Sequence, residues 1–213
     1  MSMTFVFATN NQGKMVEIKK IFQEAGLEIS CLADFGLTFE PTETGDTFEE
    51  NAMQKARKTF DFLSQNSVTG AGVLSDDSGL CIDAMGGLPG VDSANYMGRD
   101  TEYSVRNNHI VRELEGLPIS ERAARFVSVI ACVLPDGTEH TTRATVEGHI
   151  ADSPSGTQGF GYDPIFFVPE FNKTMAELAL EEKNSISHRS RALGKMLDLM
   201  KNEWMKNENI SCK

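Results

Sequence analysis

Two adjacent carboxylates, Asp76 and Asp77, stand in the run Ser75-Asp76-Asp77-Ser78-Gly79, directly after the apolar stretch Ala71 to Leu74. Carboxylates at the end of an apolar strand are costly unless they bind a cation, accept hydrogen bonds or meet basic groups. A hard cation such as Mg2+ prefers oxygen ligands and keeps several of its waters. Alternatively, one carboxylate takes a proton from an attacking water. The run reads equally well as an acidic turn satisfied by local amides. Glu43 is the other acidic candidate, since it precedes Gly45 in a loop and has no helical task. Glu49 and Glu50 suit the first turn of the next helix, where the macrodipole favours negative charge. Asn51 and Lys55 lie four apart on that helix and share a face. From there Lys55 can reach a phosphate, or simply be solvated.

Three further segments carry donors or flat rings. Thr9-Asn10-Asn11-Gln12-Gly13-Lys14 lies between a strand-like and a helix-like run. Free amides at a helix start favour anions, and Lys14 adds a full charge. It is not a Walker A loop, because the first glycine is missing and Met15 stands where Ser or Thr is required. By itself it reads as an ordinary polar turn. In Gly159-Phe160-Gly161-Tyr162-Asp163-Pro164, glycines flank aromatics, so Phe160 or Tyr162 can stack on a nucleobase and Asp163 can accept a base N–H. The plainer reading puts those rings in the core. In Glu182-Lys183-Asn184-Ser185-Ile186-Ser187-His188-Arg189, Ser187 can cap the last helix. His188 and Arg189 then fall at its first two positions, where the dipole disfavours cations. A bound group offsets that misplacement, and Lys183, His188 and Arg189 all suit a carbonyl acceptor; otherwise the run is a charged surface.

The elements that must position these residues alternate along the chain. Thr4 to Ala8 reads as a buried strand and Lys14 to Ala25 as a helix with Ile18, Ile21, Phe22 and Ala25 on one stripe, stopped by Gly26. Glu28 to Leu32 is a second strand and Asp34 to Asp46 a loop. Thr47 and Glu50 form a capping box for a helix whose stripe is Phe48, Ala52, Ala56 and Phe60. Short strands, Ala71 to Leu74 and Leu80 to Asp83, flank the acidic turn, and Thr101 to Leu114 is helical. Asp136-Gly137 marks a hairpin between Arg125 to Leu134 and Glu139 to Ile150. Pro164 to Val168 is a strand, Thr174 and Glu177 cap a short helix, and the run Glu182 to Arg189 ends a loop and opens the last helix. The last helix runs from Ser187 to Trp204, leaving 205–213 as a frayed tail. The pattern predicts an α/β or α+β fold on a mixed sheet.

Bulk properties exclude several functions. The 213 residues are 40% apolar and 24% charged, ordinary for a globular protein. The net charge of −11 repels polyanions, which disfavours a nucleic-acid-binding module or an anionic membrane surface. Cys31, Cys81, Cys132 and Cys212 have no CxxC spacing, so free thiols in a reducing cytoplasm are expected. The N-terminal residues show no secretory pattern.

Taken in order, six stretches resemble the inosine triphosphate pyrophosphatase family: TNNQGK (9–14), ETGDTFEENAMQKA (43–56), SDDSGL (75–80), GGLPGV (86–91), FGYDPIF (160–166) and EEKNSISHR (181–189). The resemblance implies an α/β fold with an elongated mixed central sheet, flanking helices and two lobes around a substrate cleft, forming one domain over 1–204. It also implies a homodimer and hydrolysis of ITP, dITP or XTP to the monophosphate and pyrophosphate with Mg2+. Residue by residue, it gives Thr9, Asn10, Asn11, Gln12, Gly13, Lys14 and Lys55 to the phosphates. Asp77 becomes the proton acceptor and a metal ligand, with Glu43 as the other ligand and Asp76 joining through water. Ser78 contacts substrate; Phe160, Gly161, Tyr162 and Asp163 take the base; Lys183, His188 and Arg189 read its edge. Two positions depart from the family: Asn95 stands where Arg is frequent, and Gln158 where Gly is. The competing expectations are a non-catalytic nucleotide-binding protein and the same reaction on other modified nucleotides, such as pyrimidines.

Overall fold

The computed structural model describes residues 4–9 and 12–210, with the backbone alone at 12, 180, 184 and 202–210. Among the described residues seven strands form one mixed sheet, in the order β2-β1-β3-β4-β5-β6-β7. Strand β1 (Thr4–Phe7) pairs in parallel with β2 (Ile29–Cys31) and β3 (Ala71–Ile82). Parallel neighbours need a crossover, and helices α1 (Gln12–Glu24) and α2 (Phe48–Gln65) supply them. Helix α1 buries the predicted stripe through Ile18 and Phe22. It ends at Gly26, whose φ of 72° only glycine adopts freely.

The predicted hairpin is β4 (Ala123–Val133) and β5 (Glu139–Ile150). Its turn closes through Leu134 N–H to Thr138 O at 2.8 Å, with Gly137 at φ 85°. Strands β6 (Phe166–Val168) and β7 (Lys173–Thr174) add antiparallel pairs. Helix α3 (Tyr103–Glu113) falls inside its predicted span.

Several local expectations change. The acidic segment is not a turn: residues 71–82 form one unbroken strand. The Asp76 carboxylate is met by two distant cations, Lys14 and Arg189. At the start of α2, the Thr47 hydroxyl accepts the Glu50 N–H as expected, but the Glu50 carboxylate takes the Asp46 N–H, one residue earlier than a capping box requires. The run from Glu182, expected to end a loop, lies largely in helix α4 (Leu180–Ile186), where the Glu182 carboxylate accepts the Ala179 N–H. Helix α5 (His188–Ile210) continues past Trp204 through part of the expected tail. Residues 211–213, with Cys212, lie outside the described residues; Cys31, Cys81 and Cys132 form no disulfide among the described residues. No described helix is long and apolar enough to cross a membrane.

The chain divides into two compact units. The first comprises Met1–Asp77, Ser128–Ala144 and Arg189–Lys213, and the second Ser78–Val127 and Thr145–His188. In the first unit, Phe5, Phe7 and Leu74 pack with Ile18 and Phe22 of α1 and Leu193 and Met196 of α5. Val6, Ala8, Ala71 and Val73 pack instead with Leu63 of α2. The second unit has its own core around Leu80, Ile82, Ile110, Phe126, Ile165 and Phe166.

Candidate active site

The pleat of β3 decides what its two carboxylates meet. Successive strand side chains point to opposite faces. Leu74 belongs to the face packed by α1 and α5, and Asp76 follows it two residues on. Val73 belongs to the α2 face, Ser75 donates its hydroxyl to Ala52 O of α2, and Asp77 continues that series.

On the first face Asp76, 1% exposed, accepts from Lys14 Nζ at 2.8 Å and Arg189 Nε at 3.4 Å, both at Oδ2. Arg189 Nη1 also donates to Glu17 Oε2 at 2.7 Å. Burial alone would raise the Asp76 carboxyl, but Lys14, Arg189 and Lys55 outweigh it and hold the group well below the usual carboxylate range. Burial lowers Lys14, against the pull of Asp76, and the charges of Arg189 and Lys55 lower it further. This corner concentrates cationic donors around one ionised carboxylate. Such a set is suited to an anion such as phosphate.

On the α2 face Lys55 Nζ reaches Glu43 Oε1 at 2.7 Å and Asp76 O at 2.9 Å. The Asn51 side chain accepts the Gly45 N–H at 2.7 Å. Burial, with the charges of Glu43 and Asp76, pushes Asp77 up to about 7, against Lys55 and Asn51. A carboxyl near neutrality is matched to proton transfer at ordinary pH. The described residues contain no group of three or more His, Cys, Asp and Glu that could hold a metal. The charge of Glu43 adds to the cost of ionising Asp77, which a divalent cation relieves. Two hard oxygen donors fit Mg2+, which is held by one or two carboxylates and completes its shell with water and phosphate oxygens.

The second unit carries the ring-binding segment. Asp163 Oδ2 accepts from Lys183 Nζ at 2.7 Å and from the Phe160 N–H at 2.8 Å, and the pair is almost wholly buried. Lys183 Nζ also stands 5.1 Å from the centroid of the Phe160 ring. Phe160 is 44% exposed, which leaves a face for stacking. Tyr162 is a core residue instead. Its ring is 4% exposed, meets Tyr103 edge-on, and its hydroxyl donates to Ser93 O at 2.7 Å. Of the two aromatics expected to stack, only Phe160 is presented. His188 lies nearly parallel to Phe126, 5.0 Å between centroids. A cavity of about 370 Å³ adjoins the loop, lined by uncharged residues including Tyr103, Asn107, Gln158 and Phe160.

Gly159 makes this arrangement possible. It has φ 78°, and a Cβ there would collide with the Asp163 carboxylate and come within 2.8 Å of Lys183 Nζ. Gly159→Ala is therefore expected to cost about 1–3 kcal/mol, read as a lower urea midpoint.

Some expected residues are not brought together. Asn10 and Asn11 lie outside the described residues, and of Gln12 only the backbone is described. Gly13 is exposed inside α1, not in the preceding turn. Thr9 donates its N–H to Phe7 O, and Ser78 is half-buried in β3. Arg189 belongs to the first unit, with Asp76 and Glu17, whereas Lys183 and Asp163 belong to the second. Asp76 sits on the opposite strand face from Asp77, with Lys14 and Arg189 as partners. Asn95 is exposed, and Gln158 contributes its N–H to Ala176 O.

Sequence reasoning missed the bracing residues. Glu17 looks like one of many surface acids. Arg106 is 1% exposed and donates to Ala94 O and Gly98 O, each at 2.8 Å. Asn107 holds Gly161 O at 3.0 Å. Nothing local signals these roles; an Arg and an Asn on a helix read as solvated.

The Ham1 family model matches residues 5–199. The dITP/XTP pyrophosphatase of Geobacillus kaustophilus is 46% identical over 90% of this chain and 91% of its own. That of Symbiobacterium thermophilum is 48% identical, over 91% and 92%. Among solved structures, the Staphylococcus aureus Ham1 protein superposes with a TM-score of 0.82 at 38% identity, covering 94% of this chain and 99% of that one. The nucleoside-triphosphatase / dITP/XTP pyrophosphatase of Mycobacterium abscessus gives 0.72 at 39%, over 92% and 99%. A family model spanning nearly the whole chain, and relatives this similar from end to end, show that the protein belongs to the Ham1 family.

Proposed function

We propose that this protein hydrolyses non-standard purine nucleoside triphosphates, ITP, dITP and XTP, to the monophosphate and pyrophosphate, using Mg2+. The observation that carries the reading is the grouping of Asp77, Glu43 and Lys55 on one face of β3, in a chain whose relatives bear the name dITP/XTP pyrophosphatase.

Asp77 accepts the proton of the attacking water as the α–β phosphoanhydride breaks. Glu43 and Asp77 would hold the magnesium, which would neutralise charge on the phosphate oxygens. Lys14 and Lys55, together with Thr9, Asn10, Asn11, Gln12 and Gly13, stabilise the leaving pyrophosphate. Ser78 contacts the substrate. Phe160 stacks on the base, with Gly161 and Asp163 shaping its seat and Tyr162 fixing the loop from behind.

Lys183, His188 and Arg189 donate toward the purine 6-oxygen. Adenine would present an amino donor to those donors and leave them unpaired, a strong basis for rejection. The domain over 1–204 acts as a cytoplasmic homodimer with no nucleic-acid partner. Phosphorus NMR of a nucleotide panel, with and without Mg2+, tests the reading. Pyrophosphate from ITP and XTP, far faster than any product from ATP, is expected. Orthophosphate as the primary product sinks the proposal, and no turnover of any nucleotide turns it into a binding protein.

A further inference from the structure

Helix α3 turns Arg106, Asn107 and Ile110 toward the interior, where all three are buried. Residues three and four apart share a helix face, so two polar side chains occupy places that suit apolar ones. Arg106 spends its guanidinium on the backbone oxygens of Ala94 and Gly98. Asn107 reaches elsewhere: its Nδ2 donates to Gly161 O at 3.0 Å. Its Oδ1 is buried with no hydrogen-bond partner among the described residues. A half-satisfied amide carries a desolvation cost that an apolar residue avoids, so packing alone gives no reason for an asparagine here.

The bond falls on a backbone that needs an outside anchor. Gly159 and Gly161 flank Phe160, with φ of 78° and 67°. Glycine has more conformational freedom to lose than any other residue, so the direction of the Phe160 ring depends on what holds the peptides around it. Before the ring, the Phe160 N–H is held by Asp163 Oδ2, which Lys183 holds in turn at 2.7 Å. After the ring, Asn107 holds Gly161 O. All these residues belong to the second unit.

We propose that Asn107 is a positioning residue for base binding, which by holding Gly161 O keeps the half-exposed Phe160 ring in the orientation that stacks on the purine. The inference rests on the reading that Phe160 is the stacking ring. Asp77, Lys14 and Lys55 belong to the first unit, so the loss of Asn107 weakens the hold on the base without altering the chemical step. That is the signature of lost uniform binding: KM rises and kcat stays.

The test is steady-state hydrolysis of ITP with Mg2+ by the full chain, as wild type, Asn107→Ala, Phe160→Ala and the double variant. Asn107→Ala is expected to raise KM about five- to tenfold, with kcat within about twofold. Inhibition by tripolyphosphate, which has no base, should stay within about twofold. Phe160→Ala should raise KM about tenfold or more. In the Phe160→Ala background, Asn107→Ala should shift KM by less than about twofold, since residues that act through one another are not additive. If Asn107 only braces the fold, the variant lowers the urea midpoint and leaves KM unchanged, or shifts KM equally in both backgrounds; either result overturns the inference. Should Asn107→Ala not fold, Asn107→Leu, of similar volume but with no donor, takes its place with the same outcomes. If Phe160→Ala leaves KM unchanged, the stacking reading itself fails. If Phe160→Ala raises KM and Asn107→Ala does not, the stacking reading stands and the role of Asn107 alone is wrong.

Discussion

Asp77→Asn is expected to reduce kcat for ITP by about 10²–10⁴-fold, the range supplied by a positioned general base, while the protein remains folded. The amide keeps the shape and cannot accept the proton. Stability should move in the opposite direction from activity. Burial raises the Asp77 carboxyl to about 7, so in the fold its ionised form is disfavoured relative to the unfolded chain. A raised carboxyl favours folding least once pH exceeds its folded value, so the wild type loses stability as pH climbs from the ordinary carboxylate range to about 7. The Asn variant escapes that loss. In EDTA at pH 8 it should therefore unfold at an equal or higher urea concentration than the wild type. Near-normal kcat in the variant would remove Asp77 from the mechanism.

Asp76→Asn should behave in the reverse way. Asp76 is the shared counter-ion of Lys14 and Arg189; Asp76 and Arg189 are buried and Lys14 is partly so. Removing one member of a buried ion cluster leaves charge without compensation, typically at about 3–5 kcal/mol. The urea midpoint should fall accordingly. An added anion should restore much of it, since Lys14 and Arg189 then have a new partner. Pyrophosphate at 100 times its dissociation constant contributes about 2.7 kcal/mol to any protein that binds it only when folded. The variant should gain at least that much and bind pyrophosphate more tightly than the wild type. A variant as stable as the wild type, or one that pyrophosphate does not rescue, would show that Asp76 is not what holds these cations.

The sequence was most legible where structure is local. The Asp136-Gly137 turn, the α1 stripe ending at Gly26 and the Thr47 hydroxyl cap depend on residues within a few positions of one another, and each formed. It was least legible where a contact spans the chain. Whether Asp76-Asp77 bends or stays extended depends on Lys14, 62 residues earlier, and Arg189, 113 residues later. No window around the pair contains that information. Likewise a tyrosine between a glycine and an aspartate reads as ligand platform or core. What decides it is Ser93 O, 69 residues away. Of the candidate site, the residue types were visible and their partition was not. Pleating separated the two aspartates, and Arg189 came to Asp76 and Glu17.

The parallel pairing of β1 with β3, Thr4 opposite Ala71 through Phe7 opposite Leu74, has an evolutionary corollary. Adding or deleting one residue between that ladder and the aspartates would exchange their faces, putting Asp76 where Asp77 stands or the reverse. Length variation among homologues should therefore be absent from 71–77 and concentrated in connections such as 135–138. In this stretch the number of residues is under as much selection as their identity.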